Sequence, residues 1–191
     1  MNAYTTRNEL LLNNLLDFYN DHTNIDKMLR IITGESKISL RIVDWFATNY
    51  AKKNYTLYTI EASESNTTRR FKVYVDYKLK LKAYGKRAFD PFCRWERISI
   101  PYKDGKYIET TIGQLNFFKW AIENKVIKYI EDHYDLIEND MNSRNSTSRK
   151  KEQSANSGTD NSKTRKKREE LSVSASKSIK KEEVEIVVKF N

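Results

Sequence analysis

Apolar residues near the start of the chain recur at helical spacing. The pattern predicts a first helix that opens with a capping box from Thr6 to Glu9 and buries one face. That face carries Leu11, Leu12, Leu15, Leu16 and Tyr19. A second helix is expected over Asn24 to Ile32, with Gly34 as a left-handed stop, and a third over Ile38 to Asn49.

The period changes to two between Phe71 and Ala83, where every odd position is apolar or aromatic. Such alternation is typical of a strand with one buried face, and 55–60 is a plausible partner strand across a polar loop at 62–68. The even positions are Lys72, Tyr74, Asp76, Lys78, Lys80, Lys82 and Tyr84. We therefore expect a sheet whose outer face interleaves lysines with tyrosines.

A hairpin is predicted with its tip at the Asp-Gly pair 104–105. A two-residue loop would place Ile100 opposite Glu109, whereas a three-residue loop over 103–105 places it opposite Ile108. The second register pairs apolar with apolar and puts the glycine at a left-handed position. We predict the three-residue loop.

A second capping box, Thr111 to Gln114, opens the longest predicted helix, which is expected to run to about Asp140 with a wide apolar face. The fold class predicted from these elements is α+β. It comprises N-terminal helices, a small antiparallel sheet with a hairpin, and a long C-terminal helix, followed by a disordered basic tail.

The composition of the chain changes at Asn142, where apolar residues become rare. From there to Glu170 the only apolar residue is Ala155, so this span cannot bury enough surface to offset its ordering entropy. We expect a compact domain over 1–142, a disordered Ser/Lys/Arg-rich tail over 143–183 and a strand-like peptide over 184–191. That peptide either adds a strand to a partner's sheet or folds back on its own domain.

The formal net charge of +9 is distributed unevenly. Counted by segment, 1–68 is net −1, 69–106 net +8, 107–142 net −4 and 143–191 net +6. An anionic partner is therefore expected: nucleic acid, a phosphorylated surface or an acidic protein. Nucleic acid, bound without sequence specificity, fits both basic regions.

The basic segment of the domain supplies a candidate nucleic-acid-binding surface in which cations contact phosphates and two tyrosines offer stacking platforms. Its members are Arg69, Arg70, Lys72, Tyr74, Lys78, Lys80, Lys82, Tyr84, Lys86, Arg87, Arg94 and Arg97. The alternative is a solvated sheet face whose lysines only deter aggregation. Trp45, Trp95 and Trp120 are assigned to the core.

Two basic clusters in the tail resemble a bipartite nuclear import signal, and the same charge would also bind nucleic acid. They are formed by Arg149, Lys150 and Lys151, and by Lys163, Arg165, Lys166, Lys167 and Arg168.

Catalytic chemistry is poorly represented. His22 and His133 share no metal-ligand motif, and Cys93 has no histidine near it in sequence, so a buried structural cysteine is favoured. The five glycines include no phosphate-binding loop, and the acidic residues near the end of the long predicted helix match no calcium loop. We expect no enzymatic activity, no cofactor and no metal.

With one cysteine, no signal peptide and no apolar run of membrane-spanning length, we expect an intracellular protein that binds no membrane.

Four blocks resemble an uncharacterised protein family of giant, nucleocytoplasmic DNA viruses. They are 39–50, 77–84, FDPFCR at 89–94 and ETTIGQLNFFKWAI at 109–122, and the resemblance covers 36–142. It implies a viral protein made in a eukaryotic host and provides no catalytic residues that can be carried over to this chain. The family pattern places a second basic residue after the arginine of FDPFCR, where this chain has Trp95.

Two functional hypotheses follow. The first is a non-enzymatic viral accessory protein that binds nucleic acid through the basic sheet face and the tail. The second is a structural or adaptor protein of the virion or replication site, which docks a viral or host protein through the domain and the C-terminal peptide. The expected location is the nucleus or the viral replication site, with packaging in the virion as a further option. The sequence leaves the oligomeric state open.

Overall fold

The computed structural model describes residues 3–61, 68–155 and 180–182. Its helices are α1 (Ala3–Tyr19), α2 (His22–Ile32), α3 (Leu40–Trp45), α4 (Ala51–Lys53), α5 (Val73–Tyr84), α6 (Ile112–Glu123), α7 (Val126–Asp132) and α8 (Tyr134–Ala155). The strands are β1 (Leu57–Glu61), β2 (Thr68–Lys72), β3 (Arg97–Pro101), β4 (Tyr107–Thr111) and β5 (Lys180–Glu182). A π-helical turn, Phe46–Tyr50, joins α3 to α4, and a 3₁₀ turn, Lys103–Gly105, joins β3 to β4.

The N-terminal helices form as predicted, with different ends. Because residues 3–5 are already helical, Thr6 lies inside α1 and cannot adopt the extended backbone of an N-cap. The cap of α2 is Asp21, which accepts the Thr23 N–H at 2.9 Å, and Gly34 follows the helix with φ +80° as predicted. The third predicted helix starts at α3 and continues through the π turn into α4.

The predicted strand from Phe71 to Ala83 is wrong beyond Lys72. β1 and β2 do pair antiparallel, with Tyr58 opposite Phe71, but the chain then turns into helix α5. Helical geometry lets the α5 side chains reach aromatic partners on one face: Tyr77 packs on Phe89 with centroids 5.9 Å apart. The tertiary aromatic contacts outweigh the strand-like alternation.

The predicted hairpin register is confirmed. Ile100 stands opposite Ile108 in the β3–β4 pair, and Gly105 in the three-residue turn has φ +71°. The other edge of β4 pairs antiparallel with β5, so that the sheet order is β3-β4-β5.

The single long helix expected from Thr111 to Asp140 is three helices. α6 ends at Glu123 and is followed by the C-cap Asn124. The Asn124 backbone carbonyl accepts the Tyr58 hydroxyl at 2.8 Å, and its side-chain oxygen accepts an N–H of Arg69 Nη2 at 2.7 Å. Lys125 then takes a left-handed conformation with φ +56°, and a second break follows at His133. Long-range hydrogen bonds to Asn124 thus accompany a break at which the sequence has neither glycine nor proline.

The core is centred on α6, whose Leu115, Phe117, Phe118 and Ala121 are fully buried. This helix packs against α1, α2 and β4, while the α3–π–α4 segment packs against α5 and α8. Helices and two small antiparallel sheets together give the α+β class predicted from the sequence.

The predicted domain boundary at Asn142 falls inside α8, because helical backbone continues to Ala155. Most of the predicted tail and the whole of 184–191 lie outside the described residues. Among the described helices, none is long and apolar enough to cross a membrane.

Candidate nucleic-acid interface

The segment 85–96, called here the clamped loop, connects α5 to β3 and is fastened to the start of α6. Asn116 Nδ2 donates to the Ala88 carbonyl at 2.7 Å, and Gln114 Nε2 donates to the Pro91 carbonyl at 3.1 Å. The N–H of Asp90 donates to the Gly113 carbonyl at 3.2 Å. Each of these bonds ties loop backbone to the first turns of α6, so the loop has a defined path.

The second capping box, Thr111 to Gln114, caps α6 and also connects this helix to the loop. Thr111 accepts the Gln114 N–H at 3.2 Å, as a capping box requires. The Gln114 side chain accepts the Thr110 hydroxyl at 3.2 Å and donates to the Pro91 carbonyl at 3.1 Å. A residue of the first turn of α6 therefore also holds the backbone of the loop in place.

Gly113 is the point of closest approach between loop and helix. A Cβ atom at this position would lie 2.7 Å from the Arg87 carbonyl oxygen and 2.9 Å from the Cβ of Cys93. The Cys93 thiol in turn contacts the Arg87 carbonyl at 3.4 Å. The backbone near both ends of the loop therefore comes together at Gly113. Arg94 directly follows Cys93, whose thiol contacts the Arg87 carbonyl.

The loop buries apolar side chains and exposes cations. Phe89, Pro91 and Cys93 are buried, and the burial of Cys93 agrees with its predicted structural role. Lys86, Arg87 and Arg94 are exposed. Lys86 has an i,i+4 ion pair with Asp90 at 3.9 Å, whereas Arg87 and Arg94 form no ion pair within the described part of the chain.

The lysines of α5 do not share one face, contrary to the predicted sheet. Lys78 and Lys82 are exposed on the outer face of the helix, next to the exposed Val75 and Leu79. Lys80 is half-buried, because a helix turns by about 100° per residue and places it on the opposite side. Only Lys78 and Lys82 extend the basic surface that the loop begins.

The remaining predicted cations lie on strands. Arg69, Arg70 and Lys72 are exposed on β2, where Arg69 is engaged with Asn124. Arg97, at the start of β3, pairs with Glu109 at 3.0 Å. These four residues therefore belong to strands and not to the clamped loop. Along the chain, β2 is separated from the loop by α5, which is about 18 Å long.

Neither predicted tyrosine platform is free. Tyr84 is half-buried and stacked on Phe89, with ring centroids 6.2 Å apart. Tyr74 is half-buried, with Lys52 Nζ above its ring at 5.6 Å. The exposed aromatic residue of this region is instead Trp95, which is 75% exposed.

The assignment of Trp95 to the core is therefore wrong. Trp120 is buried and Trp45 half-buried, as expected for packed residues, and each indole N–H has an acceptor: Asp76 for Trp120 at 2.6 Å and Asp140 for Trp45 at 3.1 Å. The sequence signal for Trp95 was its position between Arg94 and the charged pair Glu96-Arg97, which is atypical of a core residue.

Asp90 of the clamped loop and Asp44 on α3 form an acidic pair. Burial, with the negative charge of Asp90 added, raises the pKa of Asp44 on α3 to about 6. Burial also raises the pKa of Asp90, although the N–H of Phe92 donates to its carboxylate at 2.8 Å. Burial and the same two carboxylates raise the pKa of Tyr77 to about 12. Burial thus makes the ionisation of both carboxylates less favourable than in water.

The other residues that could take part in catalysis or metal binding contact neighbouring residues of the fold. The His133 ring stacks on Tyr129 at 4.1 Å between centroids, and the acidic residues of α8 include Asp140, which binds Lys53 at 2.7 Å. Among the described residues no group of three or more His, Cys, Asp or Glu is arranged to hold a metal ion.

The import-like clusters are only partly within the described structure. Arg149, Lys150 and Lys151 lie on the helical backbone of α8. The second cluster, from Lys163 to Arg168, lies outside the described residues, so the import signal stays a prediction.

Comparison with known proteins places the chain in a family. A family of unknown function, DUF7197, matches residues 2–190. An uncharacterised protein, L507, of Acanthamoeba polyphaga mimivirus is 44% identical over 154 residues, which cover 78% of this chain and 58% of the relative. The chain therefore matches less than two thirds of that relative's length. No solved structure matches.

The matched span includes the clamped loop and the α6 segment that holds it. The viral relative agrees with the giant-virus resemblance of the four sequence blocks. The chain belongs to the family of unknown function DUF7197, an uncharacterised family of giant DNA viruses.

Proposed function

We propose that this viral protein is a non-enzymatic nucleic-acid-binding protein whose contact surface is centred on the clamped loop. The observation that carries the proposal is that Cys93, packed against Gly113 and the Arg87 carbonyl, brings the backbone of Arg87 close to that of Arg94, and both arginine side chains are exposed. Lys86 adds a further exposed cation to the loop, and Lys82 extends the same surface onto α5.

Unpaired exposed cations favour a polyanionic partner. Arg87, Arg94 and Lys82 are exposed and have no ion pair within the described residues, so phosphate groups can approach them without displacing a carboxylate. Binding of this kind releases counterions and weakens steeply with salt. The basic tail adds charge of the same sign, and specificity for a base sequence is not expected.

The test compares two charge-reversal variants of the full chain. Lys82, Arg87 and Arg94 are changed together to Glu, and the matched control changes Lys27, Arg30 and Lys128 to Glu; these three are exposed on α2 and α7. The tail is intact in both, so its contribution cancels. The probe is a labelled single-stranded oligonucleotide, followed by fluorescence anisotropy over a salt titration.

The loop variant is expected to bind at least about tenfold more weakly at low salt than the control. Its slope of log affinity against log salt should be smaller by about 2, since each lost phosphate contact removes ~0.7. Equal affinities and slopes for the loop variant and the control would refute a role for the clamped loop and assign binding to the tail.

The adaptor function is the second candidate, and the pairing of β5 with β4 favours it. β5 covers the edge of β4 at Tyr107–Glu109, which shows that this edge accepts a strand. An extended segment of a viral or host protein could use the same edge. Substituting Lys181 with Pro in the full chain should increase capture of such a partner from infected cells; unchanged capture would count against docking at this edge.

A further inference from the structure

Trp95 is an exposed indole on a backbone that is otherwise held against the protein. It is 75% exposed, whereas Phe89 and Cys93 of the same loop are 1% and 5% exposed. Tryptophan is among the residues that contribute most to burial, so its exposure on a loop with a packed interior leaves a large apolar surface unused within the fold.

The backbone that carries the indole is held by its neighbours in the chain. On one side Cys93 is locked between the Arg87 carbonyl and Gly113, and the Cys93 thiol contacts the Trp95 carbonyl at 3.9 Å. On the other side Glu96 has φ +54°, a left-handed conformation that costs a non-glycine residue about 1 kcal/mol. The chain then enters β3 at Arg97. A side chain anchored in this way loses little backbone entropy on binding.

The charges around the indole select the kind of ligand. Arg94 directly precedes Trp95, and the Arg87 carbonyl contacts the Cys93 thiol, so the exposed indole shares its loop with two exposed cations that can bind phosphate. Glu96, which follows Trp95, is exposed as well. Sequence-tolerant binders of single strands combine these two features, with bases stacked on an aromatic ring and phosphates held by cations. In a duplex, base faces are covered by neighbouring pairs and cannot reach the ring.

We propose that Trp95 is a base-stacking residue and that the clamped loop binds single-stranded nucleic acid in preference to duplex. This inference rests on the function proposed above and adds the class of ligand to it. Arg87 and Arg94 supply the phosphate contacts, and the Trp95 ring supplies the contact that only an unpaired base can make.

The experiment uses the full chain and three probes: a short oligodeoxythymidylate, an abasic strand of the same length and the corresponding duplex. The variants are Trp95→Ala and Trp95→Phe. The control is Tyr55→Ala, since Tyr55 is also an aromatic residue of high exposure, 89%, and sits near the opposite end of α5, where the Val73 N–H donates to the Thr56 carbonyl.

Trp95→Ala is expected to weaken binding of oligodeoxythymidylate by at least about fivefold, the lower end of the effect of losing one stacked base. Binding of the abasic strand and the duplex should be unchanged. Trp95→Phe should retain most of the affinity, and Tyr55→Ala should match the natural chain. Equal losses on all three probes, or no loss on the thymidylate, would overturn the inference.

Fluorescence provides an independent readout. Oligodeoxythymidylate should quench the exposed indole in the natural chain and the Tyr55→Ala variant, and the quenching should disappear in Trp95→Phe, where only Trp45 and Trp120 remain. If the charge-reversal variant binds as well as its control, the proposed function itself fails. If that variant loses binding while Trp95→Ala keeps it, only the stacking role and the single-strand preference fail.

Discussion

Gly113 and Cys93 are packed so closely that a Cβ on residue 113 would lie 2.9 Å from the Cβ of Cys93. This contact joins the FDPFCR segment to the ETTIGQLNFFKWAI segment, two of the blocks that carry the resemblance to the viral family. It explains why a glycine stands in the first turn of α6, a position where backbone conformation alone does not require one.

Gly113→Ala should destabilise the protein. Alanine normally favours a helix over glycine by about 1 kcal/mol, but here the added methyl group meets the Arg87 carbonyl and Cys93. We expect a net loss of about 1–3 kcal/mol in the free energy of unfolding, the usual range for overpacking. Urea unfolding measures it, and a gain in stability would contradict the contact.

The sequence predicted elements whose determinants are local. The register of the β3–β4 hairpin followed from matching Ile100 with Ile108 across a short loop, and it is confirmed. The α5 segment was misassigned because its residues fit two periods at once. Val73, Tyr77 and Tyr84 also have helical spacing, and the decision between the periods came from distant residues, Phe89 and Trp120, against which these tyrosines pack.

Asn116→Ala should loosen the clamped loop. It removes the 2.7 Å hydrogen bond to the Ala88 carbonyl and leaves that oxygen without this donor, at a cost of about 1–3 kcal/mol. Amide hydrogen exchange should increase across 85–96 more than elsewhere. The exposed Asn13→Ala on α1 is the matched control and should leave the exchange of the loop unaltered.

Asp44→Asn should change the pH dependence of stability. The pKa of Asp44 is raised to about 6 in the folded protein by burial and by Asp90, so the native state binds a proton that the unfolded state has released. The contribution of Asp44 to the free energy of unfolding is therefore fully present below the pKa of the unfolded chain, about 3.9. It is lost as pH rises through the folded-state pKa of about 6.

Relative to the natural chain, the Asn variant should thus gain stability by up to about 3 kcal/mol between pH 4 and pH 7. Urea unfolding at the two pH values gives the difference. Parallel pH profiles for the two proteins would show that Asp44 does not carry the predicted protonation change.

Asp140→Asn should weaken the attachment of α8, with the opposite pH dependence. Although burial opposes it, hydrogen bonds from Lys53 and Trp45 hold the pKa of Asp140 below its usual range. The stabilisation is present above the unfolded pKa and is lost as pH falls through the lowered folded pKa. At neutral pH we expect a loss of about 1–3 kcal/mol by urea unfolding. The difference in the free energy of unfolding between the variant and the natural chain should become smaller in acid. A difference that does not change with pH would argue against the ion pair.

The candidate site was predictable in part. Its cations were identified from their density in the sequence, but the grouping of Arg87 with Arg94 depends on the contact of Cys93 with Gly113, which no local pattern encodes. The same holds for the helix break at Lys125, where hydrogen bonds from Tyr58 and Arg69 reach the preceding Asn124.

The extent of α8 provides the last prediction, because the sequence placed the domain boundary at Asn142. Ile137 and Met141 of α8 are buried, and Asp140 binds Lys53 and Trp45, so the first two turns of this helix belong to the core. A chain ending at residue 155 should keep the free energy of unfolding within about 1 kcal/mol of the full chain, since it loses only the short edge strand β5 from the described structure. A chain ending at residue 132 should not fold cooperatively. Circular dichroism during urea unfolding distinguishes the two, and equal stability of both shortened chains would refute the packing role of α8.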